Sequence, residues 1–330
     1  MAQVSGTTDS YDLIGIAEDV EDIIYDISPT ETPLVTMAKR GKADSTNHQW
    51  QTDALDAAAT NAQIEGDDAT YATAAPTTML SNRTQILRKT ILVSRTADRV
   101  RKYGRDRETA RLIVKRGKEI KRDLEYAAVR NQRSSVGGSG TARYMAGLES
   151  MITNRVMPAN SGAGTTPGYS SGDWVAPTDG TVGTTADTST LTETLLKDAI
   201  QAAWDDGGDP GVIMCNYAQK KQMSTFQGSA KFAGNYVEGN RTSQGIVVGG
   251  VDLYISDVGE HRVKLNRYMR NRTIFLLDPD TIEIAWLDRI KPVPLAKTGD
   301  AEKSMLIGEA TLVVTSPEGN AKIADLFPNT

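Results

Sequence analysis

Apolar residues recur with two different periods along this chain, and the changes between them divide it into parts. Leu13, Ile16, Val20, Ile23 and Ile27 are spaced by 3, 4, 3 and 4, with Glu18, Asp19, Asp22 and Asp26 mostly around the rest. That interval puts side chains on one face of a helix, so a short acidic amphipathic helix is expected. Ser28-Pro29-Thr30-Glu31-Thr32-Pro33 ends it, since proline lacks the amide a helix uses and disfavours helical geometry in the residue before it. From Ala43 to Ala75 the chain is polar and rich in Ala, Asp, Asn and Thr, and only His48 to Leu55 alternates as a strand does. Gln85 to Ser94, with β-branched and apolar residues among Arg88, Lys89 and Thr90, reads as a strand returning from that excursion. Together these predict a long hairpin-like arm.

A second helical period runs from about Arg105 to Arg130. Ala110, Ile113, Gly117, Ile120, Leu124 and Ala127 step by 3 and 4, while Arg107, Arg111, Lys115, Lys118, Lys121 and Arg122 take the wetter faces. Such a helix is roughly 39 Å long at a rise of about 1.5 Å per residue. A mid-helix glycine costs about 1 kcal/mol relative to alanine. Gly117 therefore has two readings, a site of close backbone approach or a tolerated neutral residue.

Ser134 to Gly140 and Ala159 to Thr190 interrupt the pattern; in the second, 20 of the 32 residues are Gly, Ser, Thr or Pro. Neither is expected to build a core. Beyond them α and β signals alternate: a helix over Leu191–Trp204 stopped by Gly207-Gly208-Asp209-Pro210, a buried strand Val212–Cys215, a helix Asn216–Phe226 capped by Asn216, and a strand Val251–Ser256. Phe232 to Gly245 reads as a polar loop. Thr273–Leu277 and Thr281–Leu287, joined by the turn sequence Asp278-Pro279-Asp280, and then Ser304–Thr315 return to β structure. Late strands must pack on the long central helix, so the first domain is expected to be discontinuous.

Composition sharpens this picture. In 330 residues, hydrophobic side chains are 39% and aromatic ones only 6%, a modest core that suggests apolar burial against neighbouring chains. The net charge of −5 hides a segregation: residues 1–98 carry −8, residues 99–133 carry +8, and residues 134–330 carry −5. No secretory signal and no run of 18 apolar residues is present, so a soluble intracellular chain is expected. Cys215 is the sole cysteine, which rules out an internal disulfide.

Candidate chemistry is thin. Nucleophilic catalysis usually needs a histidine base, and only His48 and His261 exist. For each, a surface or hydrogen-bonding role outweighs catalysis by about ten to one, given how little surrounds them. Cys215 closes an apolar run and reads as a small core residue. Gly138-Ser139-Gly140 lacks the strand and spacing of a phosphate loop. Asp205, Asp206 and Asp209 lack the later glutamate of a calcium loop and read as a solvated helix end. The Asn-Arg-Thr triplets at Asn82, Asn240 and Asn271 read as chance matches to a glycosylation signal. No catalytic residue, cofactor or metal site is therefore expected. The basic helix has three readings: a solvated face supported by Glu119, Asp123 and Glu125; a nucleic-acid surface with few aromatic platforms; or a dock for an acidic segment of a neighbouring chain, which the charge segregation favours.

Certain strings resemble a known family. They are Glu18-Asp19 through Ile27-Ser28-Pro29-Thr30-Glu31-Thr32-Pro33, His48-Gln49-Trp50-Gln51-Thr52-Asp53, Asn61-Ala62, Glu65-Gly66, Asn82-Arg83-Thr84-Gln85-Ile86, Val93-Ser94-Arg95-Thr96-Ala97, Gly104-Arg105 and Glu119-Ile120-Lys121-Arg122-Asp123. Over residues 9–154 the chain is similar to major capsid (head) proteins of tailed bacteriophages, and beyond that only the order of elements agrees. The resemblance implies an α+β shell fold shared with herpesvirus capsid proteins. Its expected parts are an N-terminal arm 1–42, an extended loop 43–90, a peripheral domain 91–190 and 266–330 with spine helix 105–130 on an antiparallel sheet, and an axial α/β domain 191–265. The Gly/Ser/Thr-rich insertion 159–190 is peculiar to this chain. The recognisable arm opens by residue 9, so no fused scaffolding domain is expected.

The function implied is a non-enzymatic subunit that self-assembles into pentamers and hexamers of an icosahedral head. That head encloses double-stranded DNA without sequence-specific binding, and is assembled in the host bacterial cytoplasm. Portal, scaffolding or decoration proteins are its further expected partners, and no membrane is involved. Two alternatives stand beside it: an encapsulin-like nanocompartment subunit of the same fold, and a nucleic-acid-binding protein using the basic helix.

Overall fold

A computed structural model describes residues 28–68, 71, 73–158, 164–179, 189–226 and 252–327. The expected helix over residues 13–27 and the polar loop Phe232 to Gly245 lie outside these.

The chain opens with α1 (Pro33–Met37), where Pro33 occupies the first turn, and β1 (Lys39–Lys42). Next come β2 (Asn47–Thr52), β3 (Thr78–Arg83), β4 (Gln85–Ser94) and the short α2 (Arg95–Arg99). The long α3 (Glu108–Val129) follows, about 33 Å at the standard rise. β4 alternates as its sequence predicts: Leu87, Ile91 and Val93 are buried, while Ile86 and Leu92 face out. Its partners are β12 (Ile282–Pro294) and β13 (Ala301–Val314), giving a sheet ordered β1-β12-β13-β4, parallel only at β1 with β12. Ile120 and Leu124 of α3 join Leu87, Ile91, Leu306 and Leu312 in one core. The stripe predicted for α3 is buried only in its C-terminal half; Ala110 is exposed. A Cβ on Gly117 would meet just the Leu306 Cδ2, 4.0 Å away, so within one chain the glycine is neutral.

The second layer is a six-stranded mixed sheet, β5-β14-β11-β8-β10-β9, built from β5 (Asn154–Val156), β8 (Val212–Cys215), β9 (Leu253–Ile255), β10 (Glu260–Leu265), β11 (Ile274–Leu277) and β14 (Ala321–Ile323). β8 and β11 are apolar at every position because both faces are covered. Ile213, Ile274 and Leu276 face Leu196, Ala199 and Ile200 of α5 (Glu193–Asp205), whereas Met214, Phe275 and Leu277 join the core of α3. Thr192 caps α5 and Asn216 caps α6 (Tyr217–Met223), each accepting a backbone amide on its side chain. The turn after α5 needs its glycines: Gly207 has φ +78°, and a Cβ on Gly208 would lie 1.9 Å from the Gly319 carbonyl oxygen.

Two expectations need correction. The return strand of the hairpin is β3, which pairs with β2 from Asn47↔Arg83 to Thr52↔Thr78, while β4 belongs to the four-stranded sheet. β3 escaped notice because it is mostly polar, with Ser81 and Asn82 buried and hydrogen-bonded. The turn expected between β11 and β12 is present as a 3₁₀ turn, Pro279–Thr281, which carries the chain from one sheet to the other. Asp278 Oδ1 stabilises that turn by accepting the Asp280 amide. Secondly, part of the Gly/Ser/Thr-rich tract does build core: β6 (Gly168–Ser170) and β7 (Asp173–Val175) form a hairpin, placing Trp174 at 2% exposure beside α4 (Leu148–Met151). The first flexible break is ordered too, by paired bonds between Gly138 and Thr141 and between Ser135 and Tyr144. Strands on both sides of residue 266 share the six-stranded sheet, so hydrogen bonding is continuous across the expected boundary there.

Candidate assembly interface

The β2–β3 hairpin leaves the body carrying a segment with no core of its own. Every residue from Asp53 to Asp68 is exposed. Leu55, Ile64 and Tyr71 are 98%, 80% and 97% accessible. A lone two-stranded ribbon is marginal in water, and apolar side chains at its tip gain burial only against another molecule. The same tip is acidic through Asp53, Asp56, Glu65, Asp67 and Asp68, with no basic residue in 53–68.

The root of this ribbon is fastened firmly. Asn82 Nδ2 donates to the Leu312 carbonyl at 2.7 Å, and its Oδ1 accepts the Arg83 and Ala146 amides, both at 2.8 Å. Its exposure of 1% leaves no place for a glycan. The 168–175 hairpin closes over the other side: Trp174 Nε1 donates to the Ser81 carbonyl at 2.9 Å, Tyr169 and Ser81 hydroxyls lie 2.8 Å apart, and Arg83 pairs with Asp173 at 3.4 Å.

The basic helix is a half-neutralised surface. Arg105 and Arg111 both pair with Glu108, Arg116 pairs with Glu119 at 2.6 Å, and Lys89 of β4 reaches Asp123 at 2.7 Å. The Arg111 hydrogen bond holds the Glu108 carboxyl below its ordinary range. Arg122 lies over the Tyr268 ring at 5.8 Å. Arg107, Lys115, Lys118 and Lys121 remain on the exposed face.

Glu125 is not part of that surface. It is fully buried and accepts the Leu34 amide at 2.9 Å, the Val35 amide at 2.8 Å and Asn266 Nδ2 at 2.5 Å. The carboxylate thus satisfies the start of α1 and ties the N-terminal segment to the long helix. Burial raises its pKa against the pull of these three donors. Sequence reading counted Glu125 among the solvated acids; its position beside Leu124 and Ala128 was the missed signal.

A second missed feature is an ionic cluster beneath the six-stranded sheet. Lys322 and Glu149 are almost wholly inaccessible, as is Asp325. Lys322 Nζ donates to the Glu149 carbonyl, Arg155 pairs with Asp325, and Arg270 reaches Glu149 at 3.3 Å. Burial pushes the Lys322 ammonium down to about 7 and the Glu149 carboxyl up.

The residues weighed as chemical candidates are dispersed. His48 stands on β2 with its ring 6.1 Å from that of Trp50. His261 is buried, its Nδ1 against the Pro210 carbonyl and its Nε2 2.6 Å from the Ser256 hydroxyl, so it ties a turn to the sheet. Cys215 lies in the core, where burial pushes its thiol up to about 12. Asp206 accepts Asn154 Nδ2 at 2.7 Å. Asn240 lies outside the described residues, and the Asn271 carbonyl accepts Gln219 Nε2 at 2.6 Å. Among the described residues no group of three or more His, Cys, Asp or Glu could hold a metal, and no helix is long and apolar enough to cross a membrane.

An extended ribbon, a long helix on a sheet and a second mixed sheet together match solved phage shells. The chain superposes on one from the cyanophage A-1(L) capsid asymmetric unit with a TM-score of 0.63 and 14% identity, covering 96% of this chain and 98% of that one. A chain from the structure of phage G gp27 major capsid proteins and gp26 decoration proteins gives a TM-score of 0.52 at 8% identity, covering 98% and 99%. The architecture is therefore the α+β fold of phage capsid subunits. A major capsid protein of Escherichia phage Phieco32 is 43% identical over 124 residues, 37% of this chain, and the alignment spans 35% of that relative's own length. The family model described as SU10 major capsid protein matches residues 3–327, and the chain belongs to that family of non-enzymatic phage head proteins.

Proposed function

We propose that copies of this chain assemble as pentamers and hexamers into an icosahedral head that encloses double-stranded DNA without reading its sequence. In this reading residues 1–42 are an arm, 43–90 an extended loop laid over an adjacent subunit, 91–190 with 266–330 a peripheral domain around the spine helix, and 191–265 an axial domain. The observation that carries it is the ribbon beyond Thr52, exposed at every residue from Asp53 to Asp68 and bearing Leu55, Ile64 and Tyr71 in water. Such a segment is stable in one place only when a neighbour covers it. Charge supports the pairing: the acidic tip suits the face of Arg107, Lys115, Lys118 and Lys121 on a second copy. Decoration proteins named in the phage G structure make a further partner of that kind a reasonable expectation here.

The test is cryo-microscopy of particles from the phage lysate, together with the full-length chain expressed alone. Closed shells with this chain in five- and sixfold rings are expected. A lysate holding the chain only as dispersed monomers would reject the proposal.

A further inference from the structure

Three arginines from two distant stretches of sequence meet at one open cavity of about 460 Å³. Arg130 comes from the end of α3, and Arg270 and Arg272 from the loop before β11. Asp179 enters from the Gly/Ser/Thr-rich tract and bridges two of them, one carboxylate oxygen on Arg270 and the other 3.4 Å from Arg272 Nη1. A carboxylate seated this way shows that the two guanidinium groups present donors to an oxyanion on the cavity side. Arg130 is different. Its guanidinium lies 4.2 Å from the Tyr126 ring centroid, and it has no carboxylate partner among the described residues.

The charges behind the cavity do not cancel this excess. Glu149 is engaged by Arg270 at 3.3 Å, and Asp325 is shared by Arg155 and by Arg272 at 3.5 Å. Among the described residues four guanidinium groups, those of Arg130, Arg155, Arg270 and Arg272, thus stand with the three carboxylates of Glu149, Asp179 and Asp325. Arg270 and Arg272 are about four-fifths and three-quarters buried, with side-chain exposures of 19% and 25%, so solvent screens the imbalance only partly.

We propose that the cavity lined by Arg130, Arg270 and Arg272 binds a tetrahedral oxyanion of the phosphate class, either free phosphate or a phosphodiester, where the Asp179 carboxylate now bridges. A carboxylate has two oxygens, and Asp179 gives both to Arg270 and Arg272. A phosphate brings a further oxygen for Arg130 and more negative charge, which the planar donor forks of arginine suit.

The test is calorimetric titration of the unassembled full-length chain with inorganic phosphate, at ionic strength held constant with chloride. A second arm uses a short DNA duplex lacking terminal phosphates. Asp179→Ala vacates the seat and should tighten phosphate binding. Arg130→Gln should weaken it about tenfold, the equivalent of one charge-assisted hydrogen bond, while lowering the melting temperature in chloride only slightly, because Arg130 makes no ion pair among the described residues and its contact with the Tyr126 ring is worth about 0.5–1 kcal/mol. Duplex binding that falls with Arg130→Gln identifies a phosphodiester as the ligand, and binding of phosphate alone identifies the free anion. Absence of both phosphate and duplex binding above the chloride control, or equal binding by wild type and both variants, would overturn the proposal.

Discussion

The indole of Trp174 donates its hydrogen bond to the Ser81 carbonyl oxygen at 2.9 Å, across 93 positions of sequence. One residue stands in a tract dominated by Gly, Ser, Thr and Pro; the other is on the inner strand of the extended ribbon. Their contact makes the 168–175 hairpin a clamp on the ribbon's root, with Arg83–Asp173 and Tyr169–Ser81 beside it. Trp174→Ala removes a buried aromatic and leaves the Ser81 carbonyl without its donor, a loss of about 3 to 5 kcal/mol. Urea unfolding of the unassembled subunit should show it, with faster proteolysis between residues 53 and 77. Stability within about 0.5 kcal/mol of wild type, the ordinary scatter of surface substitutions, would mean the hairpin does not clamp.

Glu125→Gln tests the anchor of the N-terminal segment. Leu34 and Val35 donate to different carboxylate oxygens, so the amide presents its own donor to one of two backbone donors. A buried polar group left unpaired costs about 1 to 3 kcal/mol. Hydrogen exchange should speed up at Leu34 and Val35 before it does in the six-stranded sheet; unchanged protection there would contradict the assignment.

Charge reversal on the helix separates assembly from folding. Arg111→Glu, Lys115→Glu and Lys118→Glu together should lower shell yield severely. Arg111 makes a helical pair with Glu108, a type of contact worth only about 0.3–0.5 kcal/mol, and ion pairs of exposed lysines such as Lys115 and Lys118 contribute about as little. Subunit melting should therefore move little. Intact shells at normal yield would rule out docking on this face.

Lys322 gives a pH dependence with a definite sign. Its folded pKa, near 7, lies below the ordinary 10.5, so between those values the unfolded chain binds a proton that the folded chain has released. Stability from this group rises as pH increases through that window, and is least below about 7, where the buried ammonium stays charged. Replacing the ammonium with an apolar side chain, Lys322→Met, should flatten that part of the profile in urea titrations of the subunit. An identical slope in the variant would assign the effect elsewhere.

The sequence alone determined the elements whose own side chains decide them. β4 was legible from alternation, β8 from a continuous apolar run, and α5 and α6 from Thr192 and Asn216 with the periods behind them. The long helix was legible from its 3-and-4 spacing, and the family from local strings that lie mostly before residue 124.

Only the tertiary structure decided what depends on partners far away in sequence. β3 is polar and becomes a strand because Asn82 and Ser81 find Leu312, Ala146 and Trp174. β11 and β12 part company because each is completed by a different sheet. Glu125 and the Lys322–Glu149 cluster carry charges that local pattern assigns to solvent, and burial is a property of what lies opposite, not of the residue itself. Periodicity records which face of an element is apolar; long-range hydrogen bonds and ion pairs leave no period, and it is these that set the root of the ribbon and the arginine cavity in place.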